Sequence, residues 1–198
     1  YRSSRGLGDV YKRQKEFWLA VCALRSHLEN EGIKPGDRVA VYMRNCPEYL
    51  IAFYGIWSMG AVILPINSKL HTKEVGWILE NAGCSYVLCE ESSISEINFP
   101  GVTVFNPKWQ QFDSNIHIPP VKRSSTDLAW LFYTSGTTGR PKGVMITHGM
   151  IKTMALSYFA DVDQVHPSDT TLYAAPMSHG AGLYSIMHVL AGARHAIC

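Results

Sequence analysis

The chain predicts an α/β fold, a parallel β-sheet with helices on both faces, and three features carry that expectation. Short β-branched or apolar runs alternate with amphipathic helical stretches between Arg38 and Cys89, and glycine or proline stands at most changes of period. A later apolar run, Leu128 to Tyr133, leads directly into a polar, glycine-rich segment. Strand, helix, strand, helix, strand implies parallel pairing with right-handed crossovers, and open sheets of this kind bind ligands at the carboxyl ends of their strands.

Residues 1–14 carry Arg2, Arg5, Lys12 and Arg13 with Gly6 and Gly8 and show no apolar periodicity. This segment reads as disordered, or as an extension foreign to the fold, and residues 15–198 as the folded unit. Phe17, Val21, Leu24 and Leu28 recur at helical steps until Gly32. Lys34-Pro35-Gly36-Asp37 is a turn, and Arg38 to Met43 a short buried strand. Asn45 is the expected cap of a second helix, with Pro47 suited to its first turn and Gly60 at its end. Ala61 to Ile66 is the next strand. Thr72 is the expected cap of a third helix, which Gly83 ends before a strand from Ser85 to Cys89.

Glu90 to Thr126 is less regular, with a strand at Val102 to Phe105 and loops at Pro107, Pro119 and Pro120. Strands are expected at Leu128 to Tyr133, Val144 to Thr147 and Leu172 to Ala175, and helices over about Gly149 to Phe159 and Gly182 to Leu190.

With 198 residues, 46% of them hydrophobic, the chain can bury one substantial core. A net charge of +2, with no Lys/Arg cluster interleaved with aromatics, gives no support to nucleic-acid binding. Tyr49 to Ile66 has no charged residue, yet Gly55, Gly60 and Pro65 interrupt it, so it reads as core and no transmembrane segment is expected. Five cysteines, Cys22, Cys46, Cys84, Cys89 and Cys198, form no C-x-x-C pair and have no metal-ligand spacing with histidine. Free thiols in a reducing compartment are expected, which places the protein in the cytoplasm, with peripheral contact at a membrane as a further option.

The stretch from Tyr133 to Gly143 carries the chemistry. Gly136, Gly139 and Gly143 widen the backbone geometries available, Thr134, Ser135, Thr137 and Thr138 supply hydroxyl donors, and Lys142 supplies a compact cation. Consecutive amides in such a loop can turn inward on an anion, which makes it a candidate phosphate cradle shaped as a mobile hairpin-like lip. A Walker loop is excluded, because the order here is Lys142-Gly143 and a strand follows instead of a helix.

TSGTTGRPKGV, followed by a threonine and a histidine, resembles the phosphate-binding signature of the adenylate-forming superfamily, which includes acyl- and aryl-CoA synthetases and the adenylation domains of peptide synthetases. The resemblance covers most of residues 15–198 and implies part of that superfamily's large N-terminal domain. It implies ATP bound through Thr134, Ser135, Gly136, Thr137, Thr138, Gly139, Lys142 and Gly143, with Mg2+ accompanying the ATP and coenzyme A as co-substrate.

A second segment, Pro176-Met177-Ser178-His179-Gly180-Ala181-Gly182-Leu183, follows a predicted strand. It resembles the Pro-x-x-His segment of the CoA ligases, in which the histidine lines the acyl pocket. His179, Gly180 and Met177 are therefore the expected substrate-pocket residues. Amino-acid-activating relatives usually place an aspartate in that segment, so His179 implies a carboxylate without an α-amine, a fatty or aromatic acid.

The implied reaction is acyl-adenylate formation followed by thioester formation with coenzyme A. The superfamily's adenine-binding, ribose-binding and C-terminal lysine motifs do not occur in the chain, so no catalytic residue is assigned and these residues alone are expected to be inactive. The alternatives are an amino-acid-activating domain and a noncatalytic nucleotide- or acyl-binding module.

Overall fold

The computed structural model describes residues 14–106, 117–134 and 141–197. The described chain runs α1 (Gln14–Asn30), β1 (Arg38–Tyr42), α2 (Pro47–Ser58), β2 (Val62–Ile66), α3 (Thr72–Ala82), β3 (Tyr86–Cys89), β4 (Thr103–Phe105), β5 (Leu128–Thr134), β6 (Lys142–Thr147), α4 (His148–Asp161), β7 (Thr170–Tyr173), α5 (Gly180–Ala191) and β8 (Arg194–Ile197). Gln14, assigned by the sequence to the leading segment, is the first residue of α1, and residues 1–13 lie outside the described part.

Six strands form one sheet in the order β4-β3-β1-β2-β5-β6. The first five are parallel, so their carboxyl ends share one edge, whereas β6 runs antiparallel to β5 as the return arm of a hairpin. The predicted parallel sheet thus gains one antiparallel edge strand, because Pro141 to Thr147 turns straight back where a crossover helix would be needed for parallel pairing.

Side-chain alternation on the central strands divides the core in two. Val39, Val41, Ile63 and Trp130 face α1 and α2, packing with Val21, Leu24, Leu28, Tyr49, Phe53 and Ile56. Ala40, Tyr42, Val62, Leu64, Val87 and Leu131 face α3 and its Val75, Ile78 and Leu79. Helices on both faces follow from strands buried on both sides, which is why β1 and β2 read as unbroken apolar runs. Each large side chain buried here contributes roughly 1.5–3 kcal/mol of hydrophobic stabilisation.

The segment that feeds β5 is tied down by polar contacts. The nearly buried Arg25 donates to the Ser58 and Pro119 carbonyls at 3.0 and 2.6 Å and to Glu29 at 2.8 Å. Trp57 Nε1 donates to the Ala129 carbonyl at 2.9 Å. These bonds hold β5 beside β2 although only Ile63 and Trp130 are in register between them.

Two helix starts differ from expectation. The third helix is capped by His71: its Nδ1 accepts from Lys73 N at 3.2 Å, and Glu74 Oε2 accepts from His71 N at 3.1 Å, a reciprocal capping box. Thr72 lies one residue inside. The second helix has Cys46 as its N-cap with no side-chain bond, and the Asn45 side chain points elsewhere. Pro47 occupies the first turn as expected.

The strand expected at Leu172 to Ala175 is β7, Thr170–Tyr173, and it joins β8 in a separate two-stranded parallel sheet. α4 and α5 pack beside it around Ala155, Ile186 and Met187. Tyr173 stacks on His195 with ring centroids 5.8 Å apart, and its hydroxyl lies 2.7 Å from His195 Nδ1.

Burial, and then His188, hold the His195 imidazole down to about 4. The unfolded chain protonates this group near 6.5 while the folded one resists, so its contribution is complete above pH 6.5 and is lost as the pH falls toward 4. The melting temperature of the protein should therefore fall more steeply between pH 6.5 and 4 than that of a His195→Gln variant. Parallel slopes across that window would refute the coupling.

Candidate functional site

Thr134 pairs with Lys142 and Tyr133 with Gly143 at the open end of the β5–β6 hairpin, so the predicted cradle begins and ends on two strands held in register. Ser135, Gly136, Thr137, Thr138 and Gly139 lie outside the described residues. Thr134 and Lys142 are exposed at the carboxyl end of β5, on the same edge as the ends of β1, β2 and β3. That edge is where an α/β sheet offers ligands its strand ends.

The strand period of two sends Phe132 and Tyr133 to opposite faces. The Tyr133 hydroxyl donates to Asn81 Oδ1 at 2.6 Å, and its ring meets Trp77 edge-on at 6.2 Å, which fastens the hairpin to α3. Gly143 does not have a positive φ. A Cβ there would stand 3.1 Å from Tyr133 Cζ and 3.3 Å from Leu131 Cδ1, so the residue is small because the Tyr133 ring crosses over it.

Phe132 carries the other connection. Its ring lies edge-to-face on His179, centroids 5.6 Å apart, and brings the Pro-x-x-His segment to the strand that leads into the predicted cradle. His179 is exposed at the N-cap of α5, and its Nδ1 lies 2.9 Å from the Oγ of buried Ser178. An exposed imidazole with one ring nitrogen engaged by a hydroxyl can present the other to a ligand.

The remaining pocket residues divide by burial. Gly180 is exposed, and a Cβ there would meet nothing nearer than Tyr184 at 4.0 Å, in keeping with open space. Met177 is completely buried and packs in the core with Tyr49 and Phe53, so its side chain serves the fold and does not line an open pocket. Gly182 is buried against the Met177 carbonyl and the Phe53 ring, and a Cβ there would collide with both.

Sequence reasoning missed two groups at this edge. Asn45 Nδ2 donates to the Tyr173 and Ala175 carbonyls at 3.1 and 2.9 Å, and Asn45 Oδ1 accepts from Met177 N at 2.8 Å. Arg44 pairs with Glu90 through both its backbone N–H and its guanidinium, with the shortest contacts at 2.8 and 2.9 Å. The Arg44 guanidinium holds the Glu90 carboxyl below the usual carboxylate range. No local sequence pattern marks either pairing, because the partners are 46 to 132 residues away.

Among the described residues no group of three or more His, Cys, Asp or Glu is placed to hold a metal ion. Cys22, Cys46, Cys84 and Cys89 are free, and burial pushes the thiols of Cys46 up to about 12 and of Cys84 and Cys89 up to about 11. Such thiols are poor nucleophiles near neutral pH.

A family model described as AMP-binding enzyme matches residues 14–198. The long-chain-fatty-acid–CoA ligase FadD13 of Mycobacterium tuberculosis is 36% identical over 170 residues, covering 79% of this chain and 33% of the relative. The crotonobetaine/carnitine–CoA ligase of Salmonella arizonae is 34% identical over 140 residues, 59% of this chain and 27% of the relative. The inhibitor-bound N-terminal domain of FACL13 from Mycobacterium tuberculosis superimposes with a TM-score of 0.80 at 31% identity, covering 91% of this chain and 48% of that one. The chain thus spans about a third of the length of these curated relatives.

The two α5 glycines should separate experimentally. Alanine is the better helix former by about 1 kcal/mol, yet at position 182 it meets a backbone carbonyl that cannot rotate away. Gly182→Ala should lose about 1–3 kcal/mol in urea denaturation, as overpacked sites do. Gly180→Ala should stay within about 0.5 kcal/mol. Equal effects would contradict the packing described for α5.

Proposed function

Because the chain belongs to the AMP-binding enzyme family, we propose that it is part of an ATP-dependent acid–thiol ligase that activates a fatty or aromatic carboxylic acid. In the first step a carboxylate oxygen attacks the α-phosphorus of ATP, the bond to the β-phosphate bridging oxygen breaks, and acyl-adenylate and pyrophosphate form. In the second the sulfur of coenzyme A attacks the acyl carbon, AMP leaves, and the thiol proton passes to solvent.

The barrier of the first step is electrostatic, since an anion approaches a polyanion. Donors fixed around the β- and γ-phosphates lower it, and this is the role proposed for Thr134, Ser135, Thr137, Thr138 and Lys142, with Gly136 and Gly139 allowing the loop to close. Mg2+ would neutralise phosphate charge when bound with ATP. The acid would lie beside His179 and the open space at Gly180.

The observation that carries this reading is the Phe132–His179 contact, which sets the Pro-x-x-His segment against the strand that feeds the phosphate loop. An acid at His179 would then lie beside the nucleotide. The fatty-acid name of one relative and the crotonobetaine/carnitine name of another support a carboxylate without a free α-amine. The free cysteines among the described residues accord with the cytoplasmic location we propose. Among the described residues no helix is long and apolar enough to cross a membrane.

The test is carboxylate-dependent exchange between ATP and pyrophosphate, measured on the complete open reading frame with a panel of fatty, aromatic and amino acids. Exchange should appear with fatty or aromatic acids. Gly139→Val, or Thr137→Ala with Thr138→Ala, should lower its rate by roughly 10²–10³-fold, the range for lost transition-state donors, while acid binding changes little. Exchange confined to amino acids would replace this reading by the amino-acid-activating one, and no exchange with any acid would favour a binding module.

A further inference from the structure

Arg44 and Asn45 lie just past β1 and Met43, in the middle of the sheet's carboxyl edge, and they reach in different directions. Arg44 binds Glu90 at the end of β3. Asn45 crosses to the segment that carries His179 and takes up the Tyr173 carbonyl, the Ala175 carbonyl and the Met177 N–H. Residues 173, 175 and 177 are alternate positions, the ones a neighbouring strand would bond on one side of an extended chain. A single side-chain amide stands in for that strand.

The chemistry demands asparagine. Two carbonyls require a donor and one N–H requires an acceptor, which settles the orientation of the amide and leaves aspartate unable to serve, since its acceptor-only oxygen would face both carbonyls. The role is not local capping, because the N-cap of α2 is Cys46. Beyond the third bond the chain has little freedom before the imidazole: His179 N donates to the Pro176 carbonyl at 3.1 Å, Ser178 is buried, and Met177 is locked in the core.

We propose that Asn45 is a positioning residue for the acid subsite: by clamping residues 173–177 to the end of β1 it sets where His179 stands against Phe132 and the end of β5, and so governs carboxylate affinity without touching ATP. This rests on the ligase reading above. It assigns to a residue outside both signature segments the task of joining them.

Two measurements on the complete protein test it. In steady-state exchange assays, Asn45→Asp should raise KM for the preferred acid by about tenfold or more while KM for ATP stays within about twofold, and Asn45→Ala, which removes the bonds without adding repulsion, should raise the acid KM about threefold. Amide hydrogen exchange followed by mass spectrometry should show faster exchange in peptides covering 174–182 in both variants, with peptides of β1 and β2 unchanged. If Asn45→Asp fails to fold, Asn45→Ala decides.

Parallel rises in both KM values, or unaltered exchange across 174–182, would overturn the proposal, since a residue of merely general structural value would weaken both substrates together. A wild-type protein inactive on every acid would overturn the ligase reading, and the kinetic role of Asn45 with it. The hydrogen-exchange comparison would then still decide whether Asn45 clamps the segment.

Discussion

The site depends on the two-residue period of β5. One strand places Tyr133 on α3 and Phe132 on His179, so the arm that enters the phosphate loop is fastened from both faces within two residues of the loop. A slip of one residue in the β5–β6 register would exchange those faces and undo both contacts. The register is held from outside the hairpin as well, by Trp130 buried in the core and by the Ala129 carbonyl bound to Trp57. Loop geometry at the edge is thus coupled to packing in the centre.

This coupling suits the phosphate-binding role proposed for the segment. Donors that are already oriented lower the cost of bringing a negative carboxylate to a triphosphate, whereas donors that must be gathered from solvent would not. The paired stem from Tyr133 to Thr134 and from Lys142 to Gly143 fixes where the two ends of the proposed phosphate-binding segment stand. On the proposed acid side the same logic applies, since the backbone leading to His179 is held by Asn45 and by the burial of Met177.

Much of this was legible in the residues. The βαβ alternation, the helix boundaries at Gly60 and Gly83, and the glycine-rich segment between two apolar strands are local signals, and local signals survive without coordinates. What escaped was non-local or depended on which side a small residue is needed. Asn45, two residues before a proline at a helix start, looks like a cap, yet its amide reaches residues 128 to 132 positions away. Thr72 outranks histidine as a cap by preference, but Glu74 at the third position after His71 was the better sign. At Gly143 and Gly182 a side chain would meet the Tyr133 ring or the Met177 carbonyl, a packing demand that the sequence does not show. Met177 reads as a pocket residue in the sequence, whereas its side chain is buried in the core beside Phe53.

The most direct test of the central claim is amide hydrogen exchange of the complete protein with and without a non-hydrolysable ATP analogue. If the β5–β6 hairpin end holds the nucleotide's phosphates, exchange in peptides spanning 134–143 should slow on addition of the analogue, with smaller effects around His179. Binding of the analogue with no change across 134–143 would contradict it.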